Sequence, residues 1–402
     1  MDRRVLISGA SIAGLSCAYW LHRAGWHVTV IERAEEFRTG GQNVDIRGEA
    51  REVVRLMGIE DAIRAATTTE EGTVFVDADD RDVARFPMAE DGEGLTADME
   101  ILRGDLALIL RDALPAGVGL RVGEEIEDVA DTGESVEVRF ASGERSTYDL
   151  LVVAEGVRSR TRDRLFGPEV ERKPLRLTMV YGTIARRGDD DRWWHWYTAT
   201  GGRQVTTRPD GHGTTRATMS YRSAEGEGLA GASREELVAT LRRRFEGAGW
   251  QTERVLDGFA GSDDVYADDL EQIRMVSWSH GRVCLVGDAA WCPTPLGGGG
   301  SSLAILSGYV LGAALSRTVT DEVTPGGLRQ ALTEYEEWLR PDVDAVHGMP
   351  PGVVAASHPR SRVGVFLNRT ALKVGALPPV RAIMSKLTSD DVRELPRGRF
   401  ER

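Results

Sequence analysis

Val5-Leu6-Ile7-Ser8-Gly9-Ala10-Ser11-Ile12-Ala13-Gly14, continued by a helical run to Gly25 and then by Val28-Thr29-Val30-Ile31-Glu32-Arg33, decides how this chain is read. Residues 4–8 are a short apolar, β-branched run that predicts a strand. From Ile12 to Ala24 apolar residues recur at helical spacing until Gly25 stops them, and Val28 to Ile31 predicts a second buried strand. Strand, glycine-containing turn, helix, strand and a terminal carboxylate at Glu32 is the order that cradles the ADP half of a dinucleotide. Gly9 permits the sharp turn and Gly14 the close packing of helix on sheet. The free N–H groups around Ser11, Ile12 and Ala13 at the helix start then face an anionic diphosphate. Ser11 replaces a middle glycine, and is small enough to admit a diphosphate. Glu32, with Arg33 beside it, is placed to accept both hydroxyls of an adenosine ribose and to repel a 2′-phosphate.

The remaining composition is compatible with a globular protein built on that unit. The chain has 402 residues, 41% hydrophobic and 28% charged, with a mean hydropathy of -0.28. That is enough for one large composite domain or two ordinary ones. A formal net charge of -13 disfavours nucleic acid and anionic lipid as partners unless a local basic patch intervenes, and the sequence reading finds none. Cys17, Cys284 and Cys292 cannot all pair and lack the spacing of a metal or dithiol site, so no metal is expected and a reducing cytoplasm fits. No apolar run approaches the roughly 20 residues of a membrane span.

Outward from the first unit, 50–66 reads as an amphipathic helix and 73–87 as a strand pair turning at Asp79-Asp80. A helix over 103–114 is followed by strand-like runs at 118–122, 125–130 and 135–141, and by a buried strand at 150–153. Between about 172 and 221 the pattern becomes alternating strands rich in aromatics and threonine, which predicts an antiparallel second sheet. Helices are expected near 233–246, 302–316, 327–343 and 361–375, with another apolar strand at 282–286.

Two further segments carry chemistry. Val283-Cys284-Leu285-Val286-Gly287-Asp288-Ala289-Ala290 leads into Pro293, Pro295 and Gly297-Gly298-Gly299-Gly300. A helix beginning there at Ser301 and Ser302 would aim its N–H groups at a negatively charged group lying against this loop. Asp149-Leu150-Leu151-Val152-Val153-Ala154-Glu155-Gly156 ends a second buried strand in a carboxylate, and Glu100-Ile101-Leu102-Arg103-Gly104-Asp105-Leu106 opens a helix on an arginine.

In this order the motifs resemble those of the FAD-binding aromatic-ring monooxygenases of the para-hydroxybenzoate hydroxylase type, the family that includes tetracycline-inactivating and polyketide-tailoring hydroxylases. The resemblance spans roughly residues 1–320. It implies an α/β fold, with a Rossmann-like FAD-binding domain, an inserted, mostly antiparallel β-sheet substrate domain and C-terminal helices. The expected boundaries are 1–72 with 99–170 and 275–335 for FAD, 73–98 with 171–274 for substrate, and 336–402 for the C-terminal helical region.

The resemblance further implies that Arg103 lies along the FAD diphosphate and Asp288, after Gly287, on the ribityl and diphosphate region. Pro295, Gly298 and Gly300 would bring bare backbone to the flavin ring. Gly41, Gln42, Asp45 and Arg47 would border its edge, and Glu155, standing where the family has aspartate, would serve both FAD and NADPH or NADH. Trp291 and Gly299 also depart from the family pattern. For substrate, Trp193-Trp194-His195-Trp196-Tyr197 is an aromatic strand whose His195, sharing a face with Trp193 and Tyr197, is the candidate base for a phenolic proton.

The expected activity is NAD(P)H-driven oxygenation of an aromatic or polyketide-like small molecule by way of an oxygen adduct at the flavin C4a carbon. O₂ is the co-substrate, and the protein is expected as a monomer or homodimer. A non-oxygenating FAD oxidoreductase and a flavin- or ligand-sequestering protein remain open alternatives. A disulfide-reductase-like flavoprotein would need a second dinucleotide unit and a cysteine pair. A flavin halogenase would need the ending that Trp194-His195-Trp196-Tyr197 lacks.

Overall fold

The computed structural model describes residues 3–37, 40–88, 97–319, 322–380 and 393–400. Its first sheet has six strands in the order Ser279–His280, Val283–Leu285, Leu150–Val153, Arg4–Ser8, His27–Glu32, Gly119–Val122. All neighbours run parallel except the short Ser279–His280 edge. Val5, Leu6, Ile7 and Leu150 to Val153 are all fully buried. That is why these strands read as unbroken apolar runs: a parallel sheet is covered on both faces.

Two helices fix the geometry at one end of this sheet. The helix Ile12–Arg23 packs on Gly300–Thr318 through small residues. A Cβ on Gly308 would come within 2.4 Å of Ser16, and one on Gly312 within 2.9 Å of Trp20, while the Ser16 hydroxyl donates to the Ile305 carbonyl at 2.6 Å. Contacts that pair residue 16 with 308 and 20 with 312 advance together along both chains, so the helices run parallel. Their N-termini therefore emerge at the same end.

The second sheet has seven strands in the order Tyr266–Met275, Val170–Ile184, Thr215–Arg222, Arg203–Pro209, Trp193–Ala199, Gly72–Val76, Asp82–Pro87. It is antiparallel except where Trp193–Ala199 meets Gly72–Val76. One face buries Val74, Val180, Tyr197, Val205 and Met219 with Leu237, Leu241, Phe245, Val255 and Phe259 of the helices Arg234–Arg244 and Thr252–Ala260. This core is separate from the one beneath the parallel sheet. Smaller pieces complete the frame. A three-stranded antiparallel sheet (Ile126–Asp131, Val136–Phe140, Arg145–Tyr148) lends Phe140 and Tyr148 to the first core, and Asn43–Asp45 pairs with Glu100–Leu102.

The α/β architecture with a parallel and an antiparallel sheet and C-terminal helices is the one expected. In detail, the helix read over 50–66 is two, Glu49–Leu56 and Glu60–Ala65, parted at Gly58, whose φ of 72° no helix accepts. The strand Tyr266–Met275 and the helix Thr252–Ala260 were not anticipated. The first carries Asp268, Asp269 and Glu271, and acidic residues depress strand propensity until cross-strand pairing outweighs it. The chain ends in Pro325–His347, Val353–Ser357 and Arg362–Gly375. Among the described residues no helix is long and apolar enough to cross a membrane, the three cysteines are buried and unpaired, and no group of three or more His, Cys, Asp or Glu is placed to hold a metal.

Candidate functional site

At the end where the two parallel helices begin, the surface is mostly backbone. Gly9 has φ 109°, and its N–H donates to the Ile31 carbonyl at 2.8 Å. A Cβ on Gly9 would lie 2.4 Å from the Ala154 oxygen, one on Gly14 1.9 Å from the Gly9 oxygen, and one on Gly287 2.7 Å from the Ala13 Cβ. The first loop, the end of the strand Leu150–Val153 and the Gly287-Asp288 turn thus meet with no room for side chains. Ile12 and Ala13 are buried where the helix begins. Neither helix start receives a hydrogen bond from an N-cap side chain, so both present open N–H groups to the same region.

Glu32 sits at the other side of this loop. Its carboxylate accepts from Ala10 N–H and from Ala34 N–H, both at 3.0 Å, which fixes the loop and still leaves lone pairs for further donors; Arg33 beside it is exposed. Glu155 is different. It accepts from the Ser8 hydroxyl at 2.6 Å, the Thr161 hydroxyl at 2.6 Å, the Ser159 hydroxyl at 2.8 Å and Thr161 N–H at 3.1 Å. Four protein donors turn this carboxylate inward, where it clamps the first strand to the helix Arg160–Phe166.

Arg103 joins the remaining candidates. It donates to the Ser11 hydroxyl at 3.1 Å through its guanidinium, and its N–H donates to the Gln42 carbonyl at 3.0 Å. Gly41 lies against its side chain. Arg103 also acts electrostatically on Asp288, a residue open to solvent yet surrounded by enough protein that desolvation holds its carboxyl above the ordinary range, with Arg103 pulling the other way. A carboxyl both reachable and desolvated sits in a concavity. The Ser302 hydroxyl accepts from Arg47 N–H at 3.0 Å and donates to the Asp45 carbonyl at 3.2 Å, while Arg47 pairs with the Asp45 carboxylate. So the loop 41–47 meets the start of the helix Gly300–Thr318.

Pro295 and Gly298 are exposed on the preceding loop, and Gly300 and Ser301 are half-buried. Gly298 and Gly299 need their left-handed φ of 66° and 69°. Thr294 in the same loop, a residue that the sequence reading missed, holds φ 71° with its hydroxyl buried and unpartnered among the described residues. No local signal marks it, because strain at threonine is imposed by the surroundings.

These residues fit an FAD. Open donors of two helix starts at one end, a floor of glycine backbone and an arginine between them suit an extended dianionic diphosphate. The loop 41–47 then leads to the second sheet, where the Tyr266 hydroxyl donates to Gln42 Oε1 at 2.7 Å and its ring stacks on Tyr181 at 5.1 Å. Burial pushes the Tyr266 phenol up to about 12, so it remains a donor.

The face of the second sheet that carries Tyr266 and Tyr181 also carries, by strand register, Thr218, Thr206, Arg208, Trp194, Trp196 and Phe75. Trp194 and Trp196 bury their indole N–H groups without a partner among the described residues. Arg208 stacks 3.8 Å above the Trp194 ring and is held between Glu70 and Glu100. Two buried carboxylates against one guanidinium leave excess negative charge, and desolvation raises the Glu100 carboxyl to about 8. This triad was not found in the sequence, since its members lie far apart in the chain.

The structure corrects the choice of His195. It belongs to the opposite face, with Trp193 and Tyr197, where its Nε2 lies 2.9 Å from Asp191 and its ring stacks on Trp250 at 6.4 Å. That face is covered by the helical layer, so His195 is not brought to the cradle side. Alternation put Trp193, His195 and Tyr197 together correctly; which of the two faces turns inward could not be read from one strand.

Comparison with known proteins agrees with this geometry. The FAD binding domain family matches residues 2–341. The flavin-dependent monooxygenase eupH of Phoma sp is 35% identical over 387 residues, covering 90% of this chain and 89% of that protein. The FAD-dependent monooxygenase asL4 of Sarocladium schorii is 30% identical over 401 residues, covering 93% and 92%. Among solved structures, tetracycline destructase Tet(51) superposes with a TM-score of 0.77 at 28% identity, over 94% of this chain and 97% of that one. Klebsiella pneumoniae HpxO, solved with FAD and uric acid, shares the fold at a TM-score of 0.76 and 19% identity, over 96% of each chain.

Proposed function

This chain belongs to the FAD binding domain family and is an FAD-dependent monooxygenase, and from that premise we propose that NADPH or NADH drives it to oxygenate an aromatic or polyketide-like small molecule. FAD, bound and reduced, supplies the electrons that activate O₂. The diphosphate would lie on the open N–H groups after Gly9, with Arg103 and Asp288 flanking it. The flavin ring would lie between the loop 41–47 and the start of the helix Gly300–Thr318, whose positive end favours anionic reduced flavin.

The observation that carries the substrate class is the inward face of the second sheet. Trp194, Trp196, Phe75 and Tyr181 offer flat apolar area, and two indole N–H donors without partners among the described residues await acceptor oxygens. Arg208, fixed by Glu70 and Glu100, holds the Trp194 ring in place on this face. The likeness to a tetracycline destructase at 28% identity points to the same polycyclic, oxygen-rich class.

Turnover of a phenolic polycycle under ¹⁸O₂ with NADPH tests the reading. One labelled oxygen atom in the product is expected. Turnover that leaves the product unlabelled would assign the protein to non-oxygenating oxidoreductases instead.

A further inference from the structure

The helix Arg362–Gly375 carries apolar side chains on two sides: a mixed inner side and a largely apolar outer one. Its inner side buries Val365 and shares a hollow with Phe75 and Trp196 through Asn368, Arg369 and Leu372. It is tied down just upstream, where the Gly201 and Gly202 N–H groups donate to the Arg360 and Pro359 carbonyls at 2.9 and 3.1 Å, and His358 Nε2 lies 2.8 Å from the Ser220 hydroxyl. Its outer side presents Val363 at 67% exposure, Phe366 at 67%, Leu367 at 59% and Val374 at 49%, continued by Leu377 at 51%. Positions 363, 366, 367 and 374 fall on one stripe of the helix, with Leu377 just past its end, and contiguous exposed apolar area of this kind marks an interaction surface.

Charge selects the occupant. Between Asp344 and Asp390 the sequence contains no carboxylate side chain, although the chain as a whole has a net charge of -13. In the same stretch stand Arg360, Arg362 and Lys373, with Arg369 turned to the inner side toward Asp77, and Arg362 and Lys373 are exposed at the margins of the stripe. A second copy related by a two-fold axis through this helix would bring cations against cations with no carboxylate in the segment to pair with them. An anionic bilayer surface complements both features: apolar side chains enter the headgroup boundary while basic ones meet lipid phosphates.

We propose that the outer face of the helix Arg362–Gly375 docks this enzyme on anionic lipid. The chain-averaged charge conceals this site, because the acids that set it lie elsewhere. Docking would place the inner side of the same helix, with Phe75 and Trp196, near a phase in which apolar molecules concentrate.

The test is co-sedimentation of the full-length, FAD-loaded protein with vesicles of phosphatidylglycerol and phosphatidylcholine, against vesicles of phosphatidylcholine alone. Binding to the anionic vesicles only, released by about 0.5 M salt, is expected. Replacing Phe366→Asp together with Leu367→Asp should weaken it at least about tenfold, and Arg362→Glu with Lys373→Glu several-fold. Both pairs are solvent-facing, so flavin content and melting temperature should stay at wild-type values. Wild-type protein that ignores anionic vesicles overturns the proposal. So does a Phe366→Asp/Leu367→Asp protein that binds them undiminished, or one whose only change by light scattering is loss of a dimer, which would give the face to a second copy.

Discussion

Around Gly9 the protein makes its inward surface by leaving side chains out, whereas along Trp193–Ala199 it makes one by turning one of two fully furnished faces inward. The first solution leaves almost no freedom: Gly9, Gly14 and Gly287 each lie where a Cβ would collide with backbone or with Ala13. The second leaves a choice. Trp193, His195 and Tyr197 on one face and Trp194 and Trp196 on the other are equally aromatic, and only packing of the helices Arg234–Arg244 and Thr252–Ala260 on the former sends the latter toward the cradle. A site built from backbone is specified by what cannot be there; a site built from side chains is specified by its neighbours.

The largest expected effect breaks the first half of that contrast. Gly14→Val places carbon atoms on the Gly9 carbonyl, and overpacking of about 3 kcal/mol is expected. The purified variant should melt several degrees lower and carry less than a tenth of the wild-type flavin by absorbance, and a fully yellow, stable Gly14→Val protein would refute the backbone-floor reading.

The second half is sharpened by two substitutions on adjacent residues. Trp194→Phe keeps an aromatic ring but removes the indole N–H donor with its five-membered ring, the lost hydrogen bond being worth about 1 kcal/mol, so kcat/KM should fall roughly five- to tenfold. His195→Gln keeps a hydrogen-bonding group for Asp191 and should leave kcat/KM within about twofold of wild type. Steady-state kinetics on the two variants side by side would reverse the assignment of faces if His195→Gln proved the more damaging.

The smallest effect concerns how the side-chain site pays for its buried charge. Glu100 holds its proton in the folded protein up to about 8 but releases it near 4.5 when unfolded. The folded state binds more protons in between, so this group's contribution to stability is full below about 4.5 and is lost as pH rises toward 8. Glu100→Gln, which cannot titrate, should flatten that decline in urea midpoints measured across the interval, while a slope identical to wild type would show that Glu100 is ionised throughout.

The legibility of the site follows the same division. Gly9, Gly14, Glu32, Arg103, Gly287 and Asp288 stand in recognisable order in the chain, and the structure brings their loops together. The convergence of Gly41–Arg47 with Ser302 was suggested only by resemblance, and the Glu70–Arg208–Glu100 triad not at all, since 138 residues separate Glu70 from Arg208. The inward turn of Glu155 was equally hidden, because it depends on the hydroxyls of Ser8, Ser159 and Thr161 arriving together.

By itself the amino-acid sequence determined the strand, turn and helix that start the parallel sheet, the need for glycine at its tightest points and the alternation of aromatics along Trp193–Ala199. These are matters of backbone sterics and of periodicities that act over a few residues. Only the tertiary structure decided which aromatic face looks at the cofactor side, which carboxylates share one guanidinium and that two distant helices begin side by side. Those outcomes rest on packing between segments that are remote in sequence, and no local preference encodes them.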